Sequence, residues 1–253
     1  MKPEVVIPAH PKDYSKLPYV IKALRDHVNI GNIHVICPDP WNLSLPDVAL
    51  HADDEVLPFD KSLFKYRPEW CYQQFLKLFG FVTEGDWFLV TDADIIVARD
   101  IPLVDPVDGF PILYKREGMD VDPYFEFNKA MIGYGELEAR GSTFLSELTL
   151  YNKNMVYGMM GASGCKTVDE VLEKSAAIIG PDCFPAESVW YGHYIMRYHP
   201  YLYNVHALTS ALGGQYASHV WTPEEIENEI KTKYVDCPGA DLFSLHSWEG
   251  RVD

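Results

Sequence analysis

With 253 residues, 47% hydrophobic and 23% charged, the chain can bury a full core, which excludes disorder and fits one large α/β domain or a domain with a small lobe. The 21 Lys and Arg against 37 Asp and Glu leave a net charge of −16, which disfavours nucleic acid as a partner but leaves phosphate ligands open through a metal ion or a few placed cations. The five cysteines are scattered without a C-x-x-C pair, as expected of reduced thiols in a cytoplasmic protein, and no stretch reaches the roughly 20 apolar residues of a membrane span.

The opening "EVVIPAHPKDY" is a β-branched run halted at Pro8 and followed by a polar loop, which predicts a first strand. "LPYVIKALRDHV" spaces Val20, Ile21, Leu24 and Val28 as a helix, and "IHVICPD" is a second apolar run ended by Pro38-Asp39. Together they make a β-α-β unit with parallel strands and a right-handed crossover. "ADDEVLPFDKSLF" holds a third short strand at most. "RPEWCYQQFLKLFGF" is a helix opened by Pro68 with Trp70, Phe75, Leu78 and Phe79 inward, and "DWFLV" is the next strand, ending at Thr91-Asp92.

"IPLV" and "FPILYKR" are strand-like, and the Gly-, Asp- and aromatic-rich stretch from Glu117 to Gly141 is expected to form loops over the active face. "TLYNKNMVYGMMGASG" is expected to be a strand ending in a Gly and Ser turn. "TVDEVLEKSAAII", capped by Thr167, "ESVWYGHYIMRYH" and "TPEEIENEIKTKY" are helices, the last with acidic residues in its first turn and lysines in its last.

In "FLVTDADIIVARD" the pair Asp92 and Asp94 falls just past the carboxyl end of a core strand, where open α/β sheets bind ligands. Two carboxylates two residues apart can share one hard divalent ion, Mg²⁺ or Mn²⁺, and through it a diphosphate. Taken alone, the triplet is a weak pattern, and acidic pairs at strand ends are more commonly solvated loops or helix caps.

The ordered set "VVIPAH", a second strand ending in Pro-Asp, and Asp-Ala-Asp after the fourth strand resembles the GT-A glycosyltransferases, which bind a nucleotide sugar over a Rossmann-like half. "KLFGFVTEGDWFLVTDADIIV" is similar to the lysine, helix, strand and Asp-Ala-Asp segment of glycogenin-like retaining enzymes. "WCYQQFLKL" and "AESVWYG" resemble blocks of a sparsely characterised GT-A-like group, with one extra residue between Trp and Gln in the first and Ala where Ser is usual in the second.

The resemblance implies a single GT-A domain over 1–253, its nucleotide-binding half in 1–100 and its acceptor half in 101–253, around a mixed, mostly parallel sheet flanked by helices. It implies that Asp92 and Asp94 hold Mn²⁺ or Mg²⁺ on the donor diphosphate, with His246 of "LFSLHSWEGR" completing the metal shell and Arg251 on phosphate. Lys77 matches the family's lysine upstream of the acidic triplet, set to offset phosphate charge or to hydrogen-bond the sugar. Gln74 or Gln73 shares its face, and Arg67 reaches for the diphosphate.

Pro8, Ala9 and His10 would wrap the nucleoside, Ala93 would approach the donor, and Asp39 would accept from a base imide or ribose hydroxyl, with Tyr14 stacking on the base or simply packing. Glu187 is left three roles: general base, partner of the donor sugar, or buried structural acid. Asp120 and Asp122 fall in the acceptor loop. The implied activity is transfer of a sugar from a nucleoside diphosphate sugar, a UDP-sugar first among donors, to a carbohydrate or glycoconjugate hydroxyl, with retention favoured.

Three competing readings stay open. A haloacid-dehalogenase-type phosphatase also uses Asp-x-Asp after a strand, but there the motif ends the first strand and a Thr or Val takes the place of Ile96. A nucleotidyltransferase needs a Gly- and Lys-rich phosphate loop, and "PAHPKDYSK" has no glycine. A non-catalytic sugar- or nucleotide-binding protein on the same fold would use the same 13% of aromatic residues for stacking.

Overall fold

The computed structural model describes residues 1–117, 122–133, 142–144, 146–211 and 220–245. Its elements begin with β1 (Glu4–Pro8), α1 (Leu17–His27), β2 (Ile33–Cys37), β3 (Val48–Ala52), α2 (Asp53–Val56), α3 (Pro68–Phe79), β4 (Trp87–Thr91) and β5 (Ile95–Val97). They continue through β6 (Ile112–Glu117), α4 (Asp122–Ile132), β7 (Ser142–Thr143), β8 (Leu148–Asn152), α5 (Lys153–Ala162), α6 (Val168–Ile178) and α7 (Glu187–Tyr198). The last are β9 (Asn204–Ala207), β10 (Ser210–Ala211), α8 (Pro223–Asp236) and β11 (Leu242–Ser244).

The central sheet has the order β3-β2-β1-β4-β8, with only β8 antiparallel. Both faces are covered, so its strands read as continuous apolar runs. Alternation along β1 sends Val5 and Ile7 into one layer with Val20 and Leu24 of α1 and Ile226 of α8. Val6 goes into the other layer, with Phe75 of α3 and Trp190 of α7. Each fully buried aromatic or leucine of this kind contributes roughly 2 kcal/mol. This is the α/β class with the mostly parallel, helix-flanked sheet that the sequence leads one to expect. Among the described residues no helix is long and apolar enough to cross a membrane.

Several expected elements differ. The third strand lies earlier, at Val48–Ala52, and Asp53–Val56 is a helical turn instead. "IPLV" contributes only an isolated bridge from Val104 to Pro111, while Ile95–Val97, directly after the acidic triplet, is a strand paired with β11. Part of the stretch expected to be loops is α4, whose Phe125, Phe127, Met131 and Ile132 are buried at helical spacing. The expected turn after β8 is α5, capped by Asn152, whose side chain accepts from the N–H groups of Asn154 and Met155.

Helix α7 carries Glu187 at its first position, at the edge of the sheet where ligands bind in this class of fold. It lies against Phe144 through Gly192, where an added Cβ would sit 2.2 Å from the ring. The same helix buries His193, whose ring stacks on Phe125 at 5.4 Å and whose Nδ1 is 2.8 Å from Asn128 Nδ2. Burial pulls its pKa from the ordinary 6.5 to about 4.

The unfolded chain therefore takes up this proton first, and stability falls as pH drops from about 6.5 to about 4, by about 3 kcal/mol in all. Urea denaturation across that range should show the loss, and His193→Gln should flatten the slope. An unchanged slope in the variant would refute the assignment.

Candidate functional site

A cleft of about 470 Å³ opens across the carboxyl ends of the parallel strands. Its described lining comes from the loop after β1 (Pro8, Ala9, His10, Lys12, Asp13), from Ile36 and Pro38 of β2 and beyond, from Asp53 after β3, from α3 and its N-cap, and from Asp92, Ala93 and Asp94 after β4. Thus Pro8, Ala9, His10, Arg67, Gln74, Lys77, Asp92, Ala93 and Asp94, singled out in the sequence, come together in one place. Asp39 does not line the cleft, although its neighbour Pro38 does. Tyr14 packs against the core. His246, Arg251 and Asp120 lie outside the described residues, and Asp122 opens α4.

The chemistry centres on Lys77. Position 77 of α3 faces inward, and the ammonium, buried, stands 2.7 Å from Asp92 Oδ1 and 3.1 Å from Glu187 Oε1. Burial alone would lower its pKa, but the charges of Asp92 and Glu187 outweigh it and hold Lys77 well above the ordinary lysine value. Burial raises the Glu187 carboxyl above the usual carboxylate range by more than Lys77 lowers it, and Asp92 adds to the rise. The two directions agree: two acids share one cation, so Lys77 stays charged while Glu187 holds a proton more readily than an exposed acid. Lys77 therefore spends its donors on two carboxylates of the protein.

The rest of the floor is acidic. Asp13 is 2.8 Å from Lys16, which is fully buried and lies over the Trp221 ring at 5.7 Å. Burial first, and then the charge of Asp94, raise the Asp13 carboxyl despite Lys16. Asp94 is thus close enough to Asp13 for the two charges to be felt, and a diphosphate here would meet net repulsion without an added cation.

The backbone at Asp94 has its own anchor: Leu245 N–H donates to Asp94 O at 2.7 Å, at the end of β11, which runs antiparallel to β5. At the mouth, Arg67 is the N-cap of α3 in a left-handed conformation, φ 44° and ψ 57°, with its guanidinium 4.6 Å from the Trp70 ring. Holding a non-glycine residue there costs on the order of 1 kcal/mol. Gln73 Nε2 donates to Pro8 O at 3.3 Å and joins α3 to the end of β1.

Asp13, Lys12, Asp53, Glu69, Trp70, Tyr72 and Gln73 also line the cleft. The i, i+3 spacing of Asp13 and Lys16 was a signal for their ion pair. Nothing in the sequence marked Asp53, which becomes a cleft residue only because β3 aligns beside β2.

Hard oxygen donors at Asp92 and Asp94 fit a Mg²⁺ or Mn²⁺ ion, and the negative floor calls for one. Asp92 has Oδ2 to offer, since Oδ1 is taken by Lys77. The described residues bring no three His, Cys, Asp or Glu side chains together in a metal-binding group. The chain that leaves Leu245, bonded to Asp94, continues directly into His246.

No protein-family model matches the chain, and no curated protein matches it in sequence. Among solved structures it is similar to the apo form of mouse xyloside xylosyltransferase 1, at 10% identity and a TM-score of 0.44 over 100% of this chain and 98% of the other.

Proposed function

We propose that the chain is a metal-dependent glycosyltransferase that moves a sugar from a nucleoside diphosphate sugar to a hydroxyl of a carbohydrate or glycoconjugate. The observation that carries this reading is the Asp92-Ala93-Asp94 loop on the floor of a strand-end cleft, with a buried lysine tied to its first aspartate. All of the described cleft lining falls between Pro8 and Asp94, which supports a nucleotide-binding half in residues 1–100, with Glu187 reaching in from the second half.

In this reading Asp92, Asp94 and His246 hold the cation, and Arg67 and Arg251 approach the phosphates. When bound, the cation neutralises charge that builds on the leaving diphosphate. Lys77, held by Glu187, sets the direction of Asp92 and lines the sugar end. The bond from the anomeric carbon to the phosphate oxygen breaks, the acceptor oxygen bonds to that carbon, and the acceptor proton passes to the leaving phosphate. Retention fits because Glu187, 4% exposed and paired with Lys77, is poorly placed to serve as a base for an incoming hydroxyl.

The test is a thermal-shift series with UDP-, GDP-, CDP- and dTDP-sugars, with and without Mn²⁺, on the wild type and Asp94→Ala. Metal-dependent stabilisation by a nucleotide sugar in the wild type alone is expected. The same stabilisation in the variant would sink the metal assignment, and slow donor hydrolysis without acceptor would separate an enzyme from a binder.

A further inference from the structure

The sheet order β3-β2-β1-β4 places Asp53 and the Asp92 loop at opposite ends of the cleft, three strand spacings or roughly 14 Å apart. Given the proposed function, on which this inference rests, the diphosphate lies at the β4 end and the nucleoside extends toward β3. We propose that Asp53 reads the nucleobase, and that its carboxylate selects guanine.

Asp53 is half-buried in the cleft wall, and among the described residues it forms no ion pair. The neighbouring cation, Lys61, is held by Glu69 at 2.7 Å. The Asp53 backbone is fixed in a helical turn, where Leu57 N–H donates to Asp53 O at 2.9 Å. The carboxylate is acceptor-only, with two oxygens that can face a ligand in the cleft. Pro38 of the same wall, backed by the buried Ile36, supplies apolar surface for the face of a base.

A carboxylate only accepts, so it favours a base edge with adjacent donors. Guanine offers N1–H and the exocyclic N2–H side by side, matching two oxygens in a charge-assisted, bidentate pair. Uracil offers one N–H between two carbonyls that a carboxylate repels. Adenine and cytosine offer an amino group beside an acceptor nitrogen. Asp39, the acidic residue after β2, does not line the cleft and is not needed for this role.

Calorimetric titration with GDP, UDP, CDP, ADP and xanthosine diphosphate, each with Mn²⁺, tests the assignment on the wild type and Asp53→Asn. The wild type should bind GDP at least tenfold more tightly than the others. In the variant GDP should weaken roughly ten- to hundredfold while xanthosine diphosphate gains, because an amide pairs with the carbonyl that xanthine carries in place of the amino group. A wild type that binds UDP as well as GDP, or a variant with unchanged melting temperature and unchanged ranking, overturns the role of Asp53 and leaves the nucleotide-sugar reading standing. If no nucleoside diphosphate binds the wild type, both fall. The wild-type ranking decides even if the variant does not fold.

Discussion

Lys77→Met should lower the unfolding free energy by about 3–5 kcal/mol, the usual cost of removing one partner from a buried ion cluster. The ammonium lies 2.7 Å from Asp92 and 3.1 Å from Glu187, and its loss leaves two acids facing each other with no cation between them. Glu187, whose carboxyl burial already raises, would then protonate at still higher pH, so the variant should regain stability as pH falls through the raised value. The sign follows because the folded state would bind that proton before the unfolded one.

Adding Glu187→Gln to Lys77→Met should recover part of the loss, since one of the stranded charges is gone. Denaturant titration of the two single variants and the double closes the cycle. Strictly additive losses would show that the three groups do not act as a unit.

On the proposed function, Asp94→Asn should reduce transfer by a factor on the order of 10² to 10³, corresponding to about 3–4 kcal/mol of lost stabilisation of the leaving group. The substitution keeps the size of the side chain, and the Leu245 hydrogen bond is made by the Asp94 backbone and survives it. Folding should therefore be nearly unaffected, while Mn²⁺-dependent stabilisation by the donor disappears. Asp13 provides a second readout: its carboxyl is raised partly by the Asp94 charge, so removing that charge should let it ionise at lower pH. A variant that transfers sugar at the wild-type rate would overturn the metal role proposed for Asp94.

Local chemistry explains which parts were legible from the residues. Acidic residues just past an apolar strand mark the ligand edge of a parallel sheet, and Asp92 and Asp94 are there. Pro68 opens α3 as expected, and Thr167 and Thr222 cap α6 and α8. Helix α5 was obscured by Gly158 and Gly161, which read as turn signals. Gly158 serves packing instead: a Cβ there would lie 2.3 Å from the Tyr194 hydroxyl. Helix α4 was masked by the Gly and Asp residues around its aromatics, which read as loop. The partners of Lys77 could not be foreseen either, because Glu187 is 110 residues away (187 − 77) and meets it only through the packing of α7 beside α3.

The hydrogen bond from Leu245 to Asp94 also sets an order of events during synthesis. These residues are 151 positions apart (245 − 94), so at ribosomal rates the acidic loop waits roughly 8 to 30 s for the strand that ties it down. Over that interval β5 has an open edge where β11 will later pair. A nascent chain arrested before residue 242 therefore carries the two aspartates without their clasp, and the site matures only as the last strand arrives.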